Sequence, residues 1–245
     1  MVKELKGFYK AEKSQLRRLV ISVEGMEREG KTSFALSAPG PIALFDMDIG
    51  LEGVVDKWVD EKEIYIASFD YRDATDQDEW EAMWNRMRGS YLTALKDKSI
   101  RTLVWDTAGE AWELCRLARF GKLQQVRPHH YGPVNAEFRD MIRKVYETDK
   151  NLVMVHKMKP TYVDVKGTGE ATRTGEWERA GFSDIGYLMQ MNLRVWRNLD
   201  EGFGLTIRDC RQNASVAGID IMEPMNTFPF VAAQVFPDTS TEDWE

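Results

Sequence analysis

The chain has 245 residues, 43% of them hydrophobic, enough to build the core of one large α/β domain or two small ones. Its 33 Lys and Arg against 40 Asp and Glu leave a net charge of −7, which argues against a generally adhesive nucleic-acid binder while leaving room for a local basic groove. No apolar run approaches a bilayer-spanning length, and Met1 to Arg18 lacks the apolar centre of a secretory signal, so a cytoplasmic protein with no membrane partner is expected.

Residues 1–18 carry six Lys or Arg against two Glu and are set apart as a basic N-terminal segment. Leu19-Val20-Ile21-Ser22-Val23 is apolar and β-branched, the pattern of a buried strand. Gly25-Met26-Glu27-Arg28-Glu29-Gly30-Lys31-Thr32 follows and fits the phosphate-cradling P-loop at every defined position. From Thr32 to Ser37 the chain reads as the first turns of a helix, with Pro41 beyond its end. Glycines let the backbone approach phosphates, and free N–H groups at the helix start point at the anion. The nucleotide-contacting set is therefore Gly25, Glu27, Arg28, Glu29, Gly30, Lys31, Thr32 and Ser33. Lys31 would reach the β- and γ-phosphates of ATP, and the Thr32 hydroxyl would hold Mg²⁺.

Pro41 to Asp46 reads as a second strand ending in acids, and Glu63 to Ala67 as a short third. Trp80, Met83, Trp84, Met87, Tyr91 and Leu95 recur at helical spacing, giving a helix over about 77–97. Arg101 to Asp106 is a strand that ends on a carboxylate; Asp106 is the expected second Mg²⁺ residue. Helices over about 108–119 and 133–148 flank a Gly- and His-containing connection, and Asn151 to His156 is again a buried strand. Strands alternating with helices argue for a mainly parallel sheet covered on both faces. Residues 157–184 show little periodicity and are expected to form a long functional loop. Tyr187, Met189, Met191, Leu193 and Val195 then alternate as one face of a strand, with antiparallel strands expected over Gly204–Cys210 and Ala214–Met222. Residues 19–233 are thus assigned to one ATPase domain and 234–245 to an acidic tail, expected to be solvated or to contact a protein partner.

Hydrolysis needs a group that orients or deprotonates water. Asp48 is the first candidate, with Glu52 and Glu110 as alternatives, and His156 stands at a strand end where its ring could sense the γ-phosphate. Cys115 and Cys210 have neither disulfide-framework nor metal spacing.

The P-loop, Ala43 to Gly50, Thr102 to Thr107, Tyr131 to Asn135 and Val155 to Lys157 together resemble the RecA-fold ATPases of phages, in particular the group that includes RecA-like single-strand annealing proteins. The resemblance runs over roughly residues 19–230 and implies an ATPase that assembles into a homo-oligomeric ring or filament on single-stranded DNA. It places Asp48 where the family's catalytic carboxylate stands, as an Asp rather than the usual Glu. It also maps DNA-contacting loops to about 121–133, with Lys122, Arg127, His129, His130 and Tyr131, and to 157–184, with Lys157, Lys159, Lys166, Arg173 and Arg179. Ile207 to Arg211 resembles the hairpin that supplies a cation to the neighbouring subunit, with Arg211 the first choice and Arg208 the second. Recombination, annealing or replication on single-stranded DNA is the leading expectation; a ring helicase or translocase, an ATP-gated regulatory module and a small-molecule kinase are the alternatives.

Overall fold

The computed structural model describes residues 17–123, 126–164 and 171–245. Most of residues 1–18, and Lys166, therefore lie outside the described residues. Strands β1 (Val20–Glu24), β2 (Ile42–Asp46), β3 (Ile64–Ser68), β4 (Thr102–Asp106), β5 (Asn151–His156) and β8 (Met191–Asn198) run parallel. With the antiparallel β9 (Gly202–Cys210) and β10 (Asp220–Met222) they form one sheet in the order β10-β9-β8-β1-β5-β4-β2-β3. This is the expected α/β architecture, antiparallel only at its C-terminal side.

Side-chain alternation divides the core into two layers. Leu103 and Trp105 of β4 and Leu152 and Met154 of β5 face the layer formed with α2 (Gln77–Lys96), α3 (Ala108–Phe120) and α4 (Tyr131–Arg143). Val104, Val153 and Val155 point to the opposite layer, formed with α1 (Lys31–Leu36) and α6 (Phe228–Val235). Of the six residues at helical spacing in α2, Trp80, Trp84, Met87, Tyr91 and Leu95 are buried and Met83 is half-buried, and the N-terminus is capped by Asp76, which accepts the Glu79 N–H at 3.0 Å.

Four expectations change. Of the strand expected over Ala214–Met222 only β10 pairs, after a 3-10 turn at Ala214–Val216. The stretch 157–184 is chiefly an antiparallel ribbon, β6 (Met158–Asp164) and β7 (Ala171–Arg179), rather than a loop. Its alternation is masked in the sequence because the ribbon has no buried face. The segment around Tyr187 is a helical turn, α5 (Ile185–Leu188), because the Asp184 carbonyl accepts the N–H groups of Tyr187 and Leu188; Tyr187 is 85% exposed and the strand begins only at Met191. The acidic tail is part of the domain: residue 234 lies inside α6, and Trp244 is buried, stacked on Phe236 at 5.4 Å and tilted against Phe228 at 6.1 Å. At the other terminus Arg18 is buried too, donating to the carbonyls of Thr148 and Tyr146.

Because Trp244 closes the α1/α6 layer, Trp244→Ala should destabilise the fold by about 3 kcal/mol, the low end for an aromatic truncation. A urea melt followed by far-ultraviolet circular dichroism checks this; an unchanged midpoint would mean that the tail is only loosely attached.

Candidate active site

The order of the sheet makes the site. The strands entering it end at the same edge, where β1 runs into the P-loop between β5 and β8 and chain connections leave in both directions. Gly25 has to be glycine: a Cβ there would meet Val195 Cγ2 of β8 at 2.6 Å and its carbonyl oxygen at 2.9 Å. Gly30 has φ 88°, the left-handed conformation that a side chain resists, and from it α1 begins. The loop is braced internally, with Glu29 accepting the Met26 N–H and the Lys31 ammonium donating to the Met26 carbonyl. Burial lowers the Lys31 pKa, opposed by Asp106 and Glu29, and a phosphate would restore its charge stabilisation.

Thr32 donates its hydroxyl to Asp106 Oδ2 at 2.6 Å, so helix start and strand end meet as the motif requires. Asp46 ends β2 directly beside Asp106 in the register and is also buried. Both carboxylates lie on the face of their strands that carries Leu44 and Val104, the α1 face. Burial first, then the charges of Asp46 and Asp48, push the Asp106 pKa up to about 6, against the Thr32 hydrogen bond. Two buried neighbouring carboxylates with a hydroxyl between helix and strand suit a hard divalent cation. Among the described residues no group of three or more His, Cys, Asp or Glu forms a metal cage. Mg²⁺ would instead be held by Thr32 and Asp106 and complete its shell with phosphate oxygens and water.

One groove, lined by Lys31, Thr32, Asp46, Asp48, Asp106 and Lys157, runs along this edge. Asp48 is exposed beside it and accepts Lys157 Nζ at 2.8 Å; the same ammonium reaches Glu110 Oε1 at 2.8 Å. Burial works against the Lys157 charge, yet the hydrogen bonds from its ammonium to Asp48 and Glu110 raise its pKa overall. Tyr71 also donates to Glu110. Glu52 is exposed and does not line the groove. A second cleft begins on the other side of Arg28, Lys31 and Thr32 and is walled by Trp58, Phe203, Asn226 and Thr227.

His156 is a correction. It shares the strand face of Met154, opposite to Asp106, is fully buried, and neither ring nitrogen has a hydrogen-bond partner. Burial, then the nearby Arg179 charge, lowers its pKa to about 3, with the Ala180 backbone opposing weakly, so the ring is neutral near pH 7. It supports the sheet and does not face the γ-phosphate position. Arg179 is the second correction: it pairs with Glu24 at 3.0 Å, both side chains largely buried, and is not available to DNA. Lys157 belongs to the nucleotide groove for the same kind of reason. Lys122 lies over the Trp80 ring, Lys159 pairs with Glu178 at 3.1 Å, and Arg173 lies over Trp177 at 4.6 Å. Arg127 and His129 are exposed, and Tyr131 packs edge-on against Phe120. Arg211 sits at the opposite edge of the sheet from the P-loop, where β9 ends beside the start of β8, and donates to the Tyr187 carbonyl at 2.7 Å. It cannot reach the site of its own chain.

Sequence reading passed over Asp46 as a metal-site neighbour, although its even spacing from Leu44 put it on the Asp106 face. It gave no sign of the cleft, whose walls come from three separate stretches of chain.

A P-loop whose lysine and threonine meet a strand-end aspartate at the carboxyl edge of a parallel sheet defines a nucleotide-binding P-loop protein. A family model described as an AAA domain matches residues 17–189, well over half of the chain, and the chain belongs to this family of P-loop ATPases. A comparison with curated proteins finds no match.

The raised pKa of Asp106 has a testable sign. Its folded value, about 6, lies above its ordinary 3.8, so the carboxyl costs nothing where it is protonated in both states. It destabilises the metal-free fold increasingly as pH rises from about 4 through 6. Asp106→Asn should therefore melt higher than the wild type at pH 8 in EDTA, while losing Mg²⁺-dependent nucleotide binding. A lower melting temperature at pH 8 would contradict the assignment of a costly buried charge.

Proposed function

We propose that the protein hydrolyses ATP with Mg²⁺ and couples hydrolysis to single-stranded DNA, as the resemblance to phage RecA-like proteins implies. The observation that carries this reading is the β6–β7 ribbon, whose two ends enter the nucleotide site while its length carries exposed aromatic and cationic side chains. Met158 and Trp177 are close enough to the P-loop to line the same groove, and Tyr162 stands 59% exposed further out. Aromatic faces for bases beside cations for phosphates are what a single strand requires.

In this reading the phosphates lie on Gly25 to Thr32, with Lys31 against the β- and γ-oxygens. The base enters the cleft across Arg28 and Lys31, against Phe203 and Trp58, with the Asn226 amide in reach of its edge. Mg²⁺ held by Thr32 and Asp106 would neutralise charge that develops on the phosphates. Water attacks the γ-phosphorus while Asp48 takes its proton; the new O–P bond forms as the bond to the β-phosphate oxygen breaks, leaving ADP and phosphate. Asp48→Asn should slow this step by roughly 10²-fold. Arg211, remote from its own site, acts on the nucleotide of a neighbouring copy in a ring or filament.

A second reading has its own support: Glu176 and Glu178 on the ribbon offset its cations, which suits a protein partner gated by ATP.

Steady-state ATP hydrolysis measured with and without single-stranded DNA, for wild type and Lys31→Ala, separates the two. DNA stimulation that falls by roughly 10²-fold or more in Lys31→Ala is the expected result. Lys31-dependent hydrolysis indifferent to DNA would reject the DNA coupling and favour the protein partner.

A further inference from the structure

The ribbon is fastened to the active site by a cation at each foot. At the end of β7, Arg179 holds Glu24, the last residue of β1 before the P-loop. At the start of β6, Lys157 holds Asp48 and Glu110. The two feet are tied to each other, since the Ala180 N–H donates to the Lys157 carbonyl at 2.9 Å. Lys157 is thus the junction between a buried strand and an exposed ribbon, and its position follows both.

The two carboxylates it holds differ. Glu110 is anchored on α3, is the more buried of the two, and also accepts the Tyr71 hydroxyl. The hydrogen bonds it accepts from Lys157 and Tyr71 hold its pKa below the usual range although burial opposes them. Asp48 lies just past β2 on an exposed loop and lines the nucleotide groove. Lys157 therefore draws Asp48 towards a fixed point. The ammonium takes one lone pair of Asp48 Oδ1 and so fixes the direction in which the carboxylate presents its remaining acceptor sites, Oδ2 among them, to water. Both side chains of the Lys157–Asp48 pair are more than 40% exposed, so the pair is weak and exchanges easily.

We propose that Lys157 is a positioning residue for hydrolysis: it restrains Asp48 against Glu110, and a shift of the ribbon's feet releases Asp48 to take the proton of the attacking water. The proposal rests on the reading of Asp48 as the water-activating group of an ATPase. It gives the ribbon a route into the chemistry, because any partner that displaces β6 displaces the ammonium. The release needs no new group in the site, only the breaking of one solvent-exposed ion pair.

The test is steady-state ATP hydrolysis by wild type, Lys157→Met, Lys157→Arg, Asp48→Asn and the double variant Lys157→Met/Asp48→Asn, with binding of a fluorescent ATP analogue measured on each. Lys157→Met should raise kcat roughly two- to fivefold, the range set by losing one weak ion pair, and the analogue binding measured on each variant separates that gain from any change in nucleotide affinity at the groove that Lys157 lines. Lys157→Arg, which keeps the charge, should restore most of the restraint, and the gain should vanish in the double variant. Lys157→Gln replaces Lys157→Met if the latter melts below the assay temperature. An unchanged or lower kcat, or a gain that survives Asp48→Asn, overturns the proposal. Lys31-dependent hydrolysis in the wild type with no gain in Lys157→Met sinks the restraint alone. No Lys31-dependent hydrolysis at all sinks the ATPase reading and the restraint with it.

Discussion

The site depends on a hydrogen bond between two elements 74 residues apart in sequence, Thr32 at the start of α1 and Asp106 at the end of β4. Neither residue has a reason to be where it is without the other. A carboxylate buried beside a second carboxylate is costly, and the fold tolerates Asp106 because a hydroxyl and a nearby lysine face it. A divalent cation supplied from outside would offset the same cost, since it brings the charge that the buried carboxylates lack. The strand order allows it: β5 separates β1 from β4, leaving a groove wide enough to run between the P-loop and the acids.

Around that groove the charges fall into two groups according to strand parity. Asp46 and Asp106 share the α1 face, and the Lys31 charge lies near Asp106. Glu24 and His156 are register partners on the other face, and there Glu24 meets Arg179. The first group is placed where a phosphate-bound cation would sit, and the second holds the ribbon. Alternation at a strand end thus decides whether a polar residue becomes a ligand or a fastener. A histidine at the end of a buried strand reads as functional by position, and the parity of a single residue removes it.

Much of the parallel sheet was legible because buried strands and amphipathic helices leave periodic patterns. Val20 to Glu24, Ile42 to Asp46, Thr102 to Asp106 and the Trp80–Leu95 stripe all formed where their spacing placed them. The ribbon was not legible, since with no core face to bury its residues carry no alternation of apolar and polar. Tyr187 misled for the opposite reason: its apolar spacing from Met189 and Met191 mimicked a strand that the Asp184 turn precludes. Trp244 was passed over because one aromatic among acids gives no pattern, although a pocket formed by Phe228 and Phe236 was enough to bury it.

The amino-acid sequence by itself determined the phosphate chemistry. Glycine, lysine and threonine at fixed spacing act through the local backbone, and the conformation they need is encoded within eight residues. Tertiary structure alone decided which distant groups share the site: Asp46 beside Asp106, Lys157 on Asp48 and Glu110, the cleft between Trp58 and Phe203. Those relations depend on strand order and side-chain parity. Both are set by how the whole chain buries its apolar surface, and no local run of residues contains that information.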